Sequence, residues 1–152
     1  MPQESPQTPP VDLQQTAPPT LDHYVGQRAV VSQVRVALEA AFADNQRFPH
    51  ALLTGAPGLG KTLLCQIVAR ETASELHEVL GQSLAQPSDL YGLLLQAADR
   101  DIVLIDEADE LPTQIQTTLY RAVEERKLFL PQSSAGRGAK SIPLADFTLL
   151  LA

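Results

Sequence analysis

From Leu21 onward, apolar and polar positions along the chain alternate between two periods, one helical and one extended. Val34, Leu38, Ala41 and Phe42 recur at helical spacing, and Ser32 stands where an N-cap would open that helix. "HALLTG", residues 50–55, is a short apolar run broken by glycine and reads as a buried strand. Leu63 to Ala73 is helical in composition, and weak strand character returns over Glu75–Gly81. Pro87-Ser88-Asp89 predicts a helix start, with Leu90, Leu93, Leu94 and Ala97 on one face. "IVLI", residues 102–105, is an apolar run bounded by charges, the pattern of a central parallel strand. Thr113 and Gln116 predict a capping box before Ile115, Leu119, Ala122 and Val123. Lys127–Leu130 and Ser141–Leu144 read as two strands around a loop rich in glycine and serine, and the apolar run "FTLLLA" ends the sequence on a strand.

Strands alternating with helices predict βαβ units and an α/β fold with a parallel sheet. Residues 1–20 lie outside that pattern. They hold half of the twelve prolines, interspersed with glutamine and threonine, and are expected to form a flexible tail. Composition narrows the function classes. Eighteen acidic against eleven basic side chains give a net charge of −7, which argues against a broad basic face for nucleic acid. The single cysteine, Cys65, excludes an internal disulfide and a cysteine-based metal cluster. No run approaches about 18 apolar residues and no signal pattern opens the chain, so no membrane role and a cytoplasmic location are expected.

Two segments carry chemistry. "GAPGLGKT", residues 55–62, matches G-x-x-x-x-G-K-[ST] after a predicted strand and before a predicted helix. Gly55, Gly58 and Gly60 let the backbone curl so that its N–H groups converge on phosphate oxygens. In such a loop Lys61 reaches the β- and γ-phosphates, the Thr62 hydroxyl ligates Mg²⁺, and the helix N-terminus adds its dipole. "IVLIDE" supplies the second element, an apolar strand ending in an acid. Asp106 is the expected Mg²⁺ carboxylate, acting through water, and Glu107 the group that polarises the attacking water. ATP and Mg²⁺ are thus the expected ligands. Asp109 and Glu110 receive no catalytic role.

The order and spacing of "LDHYVGQ" (21–27), "GAPGLGKT" (55–62), "IDEADEL" (105–111), "LYRAVEE" (119–125) and "SIPLADFTLL" (141–150) resemble the RuvB family. Its members are AAA+ motors of bacterial Holliday-junction branch migration. The resemblance covers residues 21–152, the N-terminal part of that family's ATPase domain. It implies an AAA+ P-loop fold reaching only to the sensor-1 strand, and an ATP-driven DNA helicase of recombination and repair. It further implies an adenine pocket at Tyr24 and Val25, and a hairpin at about 126–146 that binds a RuvA-like junction protein. Homo-hexameric assembly and indirect contact with DNA follow from the same likeness. Arg137 and Lys140, at the hairpin tip, are read as solvated charges. Measured against the family's layout, the fifth strand, arginine finger, lid and winged helix lie beyond Ala152. An arginine finger is worth about 10³–10⁵ in turnover, so the chain alone is expected to bind ATP weakly and turn it over slowly or not at all.

Departures from the family pattern fall at Ala17, Leu63, Ala108, Asp109 and Leu151. They keep a second reading open: a non-motor ATP-binding fragment, or another AAA+ ATPase of clamp-loader-like or MoxR-like type, acting as a regulatory partner. The letters "DEAD" at Asp106–Asp109 also spell the label of a class of RNA helicases. Those enzymes pair an alanine-led P-loop with a serine–alanine–threonine motif and a second RecA-like domain. Here Gly55 leads the loop, Lys61 and Asp106 are separated by 45 positions, and no such tripeptide occurs. The RNA-helicase reading fails on these grounds.

Overall fold

In the computed structural model, residues 20–130 and 141–152 are described. The proline-rich stretch apart from Thr20, the departure at Ala17 and the hairpin-tip residues Arg137 and Lys140 lie outside them. The chain alternates as expected. Helix α1 (Arg28–Ala43) precedes strand β1 (Ala51–Leu52), followed by α2 (Lys61–Glu71), β2 (Leu76–Leu80) and α3 (Pro87–Gln96). Then come β3 (Ile102–Asp106), α4 (Thr113–Glu125), β4 (Lys127–Phe129), β5 (Ser141–Pro143) and β6 (Thr148–Leu151). Four strands form a parallel sheet in the order β1-β6-β3-β2, and β4 and β5 pair separately as an antiparallel hairpin.

Strand β3 sits between β2 and β6, with Ile102 to Ile105 each no more than 1% exposed. Its even positions, Ile102 and Leu104, pack with Leu64, Ile67 and Val68 of α2. Its odd positions, Val103 and Ile105, pack with Leu90 and Leu94 of α3 and with Ile115 and Leu119 of α4. The period-2 alternation of a strand thus divides one apolar run between two cores. Thr148, the buried polar residue of β6, is satisfied by donating its hydroxyl hydrogen to the Phe48 carbonyl. Among the described residues no helix is long and apolar enough to cross a membrane.

Several sequence expectations are corrected. The run 50–55 yields a strand of only two residues, and it is not buried: β1 has one neighbour, β6, and Leu52 is 66% exposed. Ser32 caps nothing. Helix α1 begins four residues earlier, after Gly26 (φ 98°) and Gln27 (φ 44°) turn the chain into it. Phe42, one step round the helix from buried Ala41, is 58% exposed. Thr113 is the first helical residue of α4 rather than its cap, and Gln116 instead donates from Nε2 to the Leu111 carbonyl at 2.8 Å. A capping box does form at α3, where Gln86 and Asp89 bond each other's backbone N–H groups.

The base of the hairpin is tied to the body by Asp146. Its carboxylate accepts from Arg47 at 2.7 Å and lies 3.1 Å from Arg126, while Leu144 N–H donates to the Arg126 carbonyl at 2.9 Å. The Arg47 guanidinium holds the Asp146 carboxyl below the usual carboxylate range. Next to it, His50 Nδ1 accepts the Leu149 N–H at 2.8 Å. Burial, then the neighbouring Arg47 and Arg126 charges, push the His50 imidazole below its ordinary value.

A histidine held neutral in the fold takes up its proton first in the unfolded chain. Stability contributed by His50 is therefore fully present above about pH 6.5 and declines as pH falls below it. Urea unfolding between pH 7.5 and 5 should show this decline. It should be smaller in His50→Asn, which keeps an acceptor for Leu149 N–H but does not titrate.

Candidate nucleotide site

Parallel pairing delivers the carboxyl ends of β1, β3 and β6 to one edge of the sheet, where ligands bind in open α/β folds. Residues 55–60 connect β1 to α2 there. Gly55, Gly58 and Gly60 all take positive φ, at 155°, 79° and 79°. Gly60 is the residue that admits α2: it is left-handed at the N-cap, and a Cβ on it would lie 2.6 Å from the Tyr24 hydroxyl. Lys61 Nζ donates to the Gly55 carbonyl at 3.0 Å and reaches the Ala56 carbonyl at 3.5 Å. The ammonium therefore sits at the mouth of the loop.

Thr62 Oγ1 donates to Asp106 Oδ2 at 2.6 Å. This bond joins the first turn of α2 to the end of β3, bringing together residues 44 positions apart. Asp106 Oδ1 accepts the Glu107 N–H at 2.9 Å, so both carboxylate oxygens are engaged and the side chain is fixed. With its proton committed to Asp106, the Thr62 hydroxyl keeps lone pairs for a cation. A hydroxyl beside a carboxylate is the hard-oxygen donor set that suits Mg²⁺. Cys65, one turn along α2, is no competing ligand: burial, then the Asp106 charge, push its thiol up to about 12.

Tyr24 reaches the loop from the other side. Its hydroxyl donates to the Leu59 carbonyl at 3.0 Å and lies 3.3 Å from the Gly60 carbonyl. The segment carrying it is anchored twice: Leu21 N–H donates to Glu71 of α2 at 2.9 Å, and Asp22 pairs with Arg35 of α1 at 2.6 Å. Tyr24 and Val25, together with Gly58, Gly60 and Leu63, line a cavity of about 530 Å³. Val25 is 95% exposed, so one wall of that cavity is open.

Glu107 is exposed and takes a left-handed backbone, φ 52° and ψ 47°. A non-glycine residue there costs about 1–2 kcal/mol. Its carbonyl is pressed against Gly81, where a Cβ would meet the Glu107 oxygen at 2.3 Å. Gly81 is a neighbour of the candidate Glu107 that the sequence does not reveal. It follows β2, and only the three-dimensional pairing of β2 with β3 brings it to Glu107. Asp109 and Glu110 lie on an exposed turn and approach neither Thr62 nor Lys61 by any hydrogen bond.

The sequence profile of the Holliday junction DNA helicase RuvB P-loop domain matches residues 16–152. A RuvB subunit of the branch migration complex from Anaeromyxobacter sp. (strain Fw109-5) is 42% identical over 139 residues. That match covers 90% of this chain and 40% of the relative, so the chain spans about two fifths of such curated relatives. The Thermotoga maritima RuvB branch migration motor superposes with a TM-score of 0.75 at 32% identity, over 89% of this chain and 41% of that one. NtrX from Brucella abortus shares the fold alone, at 18% identity and a TM-score of 0.55 over 86% of this chain and 30% of that one.

Gly81→Ala should destabilise the chain by about 1–3 kcal/mol, the usual cost of forcing atoms into filled space. Glu107→Gly should stabilise it by about 1 kcal/mol, because glycine adopts the left-handed backbone without strain. Chemical denaturation of both variants beside the wild type checks the opposite signs.

Proposed function

The chain belongs to the family of RuvB P-loop domains, and from that premise we propose that it is the ATP-binding and ATP-hydrolysing part of a Holliday-junction branch-migration motor. The observation that carries this reading is the Thr62–Asp106 bond, which unites the phosphate loop with the acidic strand end. In the proposed site Gly55, Gly58 and Gly60 shape a ring of backbone N–H donors for the phosphates. Lys61 releases the loop carbonyls and pairs with the β- and γ-oxygens. Thr62 and, through water, Asp106 would hold Mg²⁺, which would supply positive charge to the phosphate oxygens. Glu107 accepts a proton from the attacking water. Tyr24 and Val25 line the adenine side.

The remaining roles belong to the same proposal. Residues 21–152 act as the nucleotide-binding unit and residues 1–20 as a tail. The hairpin at about 126–146 docks a RuvA-like junction protein, held at its base by the Asp146 ion pairs. Assembly is a homo-hexamer, contact with DNA is indirect because the chain is acidic, and the location is cytoplasmic.

Titration with a fluorescent ATP analogue, in the presence of Mg²⁺, tests the nucleotide site. Lys61→Ala should abolish binding, while Glu107→Gln should keep it and lose any turnover the wild type has. Equal affinity in wild type and Lys61→Ala would sink the assignment.

A further inference from the structure

The opposite edge of the sheet, at the amino ends of β2 and β3, gathers three ligand-type side chains that the nucleotide site does not use. Leu76 faces Ile102 across the parallel ladder, so Glu75 and Asp101, the residues just before them, are neighbours in register. Glu75 immediately precedes β2 and His77 is its second residue, two positions on, the spacing that places side chains on the same side of an extended chain. Ile102 N–H donates to the Glu75 carbonyl at 2.8 Å and fixes that neighbourhood. One carboxylate oxygen of Glu75, one ring nitrogen of His77 and one carboxylate oxygen of Asp101 all lie within 4.8 Å of one another. His77 Nε2 is 3.0 Å from Asp101 Oδ2, and the two side chains are only 15% and 13% exposed. Ala98 N–H donates to the same Asp101 oxygen at 2.8 Å, which holds the carboxylate in place.

The cluster combines acidic and imidazole donors in one place. Two carboxylates flank one imidazole, and among the described residues no Lys or Arg pairs with any of the three.

We propose that Glu75, His77 and Asp101 form a zinc site that clips β2 to β3 at the edge of the sheet remote from the phosphate loop. One imidazole nitrogen with two carboxylate oxygens is a donor set for Zn²⁺, with water in the fourth position. Mg²⁺ is disfavoured there, since it prefers an octahedron of oxygens and keeps its water. The geometry is nearly assembled. Ligand atoms about 2.0–2.2 Å from a tetrahedral zinc stand about 3.3–3.6 Å apart, so the 3.0 Å hydrogen bond between His77 and Asp101 opens by a few tenths of an ångström to admit the ion. Glu75, exposed at the rim, closes the triangle by a side-chain rotation. The Ala98 N–H is the outer hydrogen bond that orients a ligating carboxylate. The bound ion cross-links the segments entering β2 and β3 and leaves the residues at the phosphate loop untouched.

The test is competition for Zn²⁺ alone, without nucleotide, between the chain and a chromophoric chelator. The wild type should take up one equivalent and melt at higher temperature with zinc than without. His77→Gln, which keeps a hydrogen-bonding group towards Asp101, should weaken uptake by at least about tenfold, as should Glu75→Gln on the exposed ligand. Asp106→Asn, at the other edge, should leave zinc affinity unchanged. Circular dichroism checks that each variant is folded. No uptake by the wild type, undiminished uptake in Glu75→Gln, or loss of uptake in Asp106→Asn would each overturn the proposal.

Discussion

Strand β3 pairs in parallel with β2 on one side and β6 on the other, and the candidate site depends on that pairing more than on any side chain. Parallel strands point their carboxyl ends the same way. The acid that ends β3 therefore emerges beside the loop that leaves β1, without either segment having to bend towards the other. Burying Ile102 to Ile105 on both faces fixes the strand along its length, so the height at which Asp106 emerges is set by the core. The 2.6 Å contact with Thr62 is the consequence of that rigidity, and the same four residues serve packing and placement together.

What the sequence made legible follows the same physical division. "IVLI" and "GAPGLGKT" were readable because their requirements are local: burial on both faces, and a backbone that only glycine follows easily. The end of the chain was read as a strand for the first of these reasons. The exposure of β1 is not legible in its apolar run, because such a run does not say how many neighbours a strand will have. The start of α1 is hidden because Ser32 is a good cap by type, whereas the turn at Gly26 and Gln27 initiates the helix by backbone conformation. Thr113 and Gln116 had the right spacing, one position out of phase with the helix that forms. Gly81 was invisible for a further reason: its role is a contact with a residue 26 positions away.

Strain and freedom are distributed unevenly around the loop. Glycine carries the unusual backbone at positions 55, 58 and 60 at little cost, whereas at position 107 a glutamate carries it. Gln27, Asn45, Ala73, Arg100 and Arg126 carry a left-handed backbone as well, so at position 107 the strain is one of several local costs the fold accepts. Tyr24 shows the converse economy. Its ring closes one side of the cavity while its hydroxyl satisfies a loop carbonyl, so one residue supplies both shape and hydrogen bonding.

The half-open strand β1 has a consequence for the chain in solution. Leu52 projects beside backbone groups that no second strand covers among the described residues, and such an edge is a template for another chain. A net charge of −7 works against it by mutual repulsion between molecules. That repulsion is long-ranged only in dilute electrolyte, because the screening length shrinks to about 8 Å at physiological ionic strength. The colloidal state of this chain is therefore set by a contest between a short-range edge and a long-range charge. Added salt shifts that contest towards association.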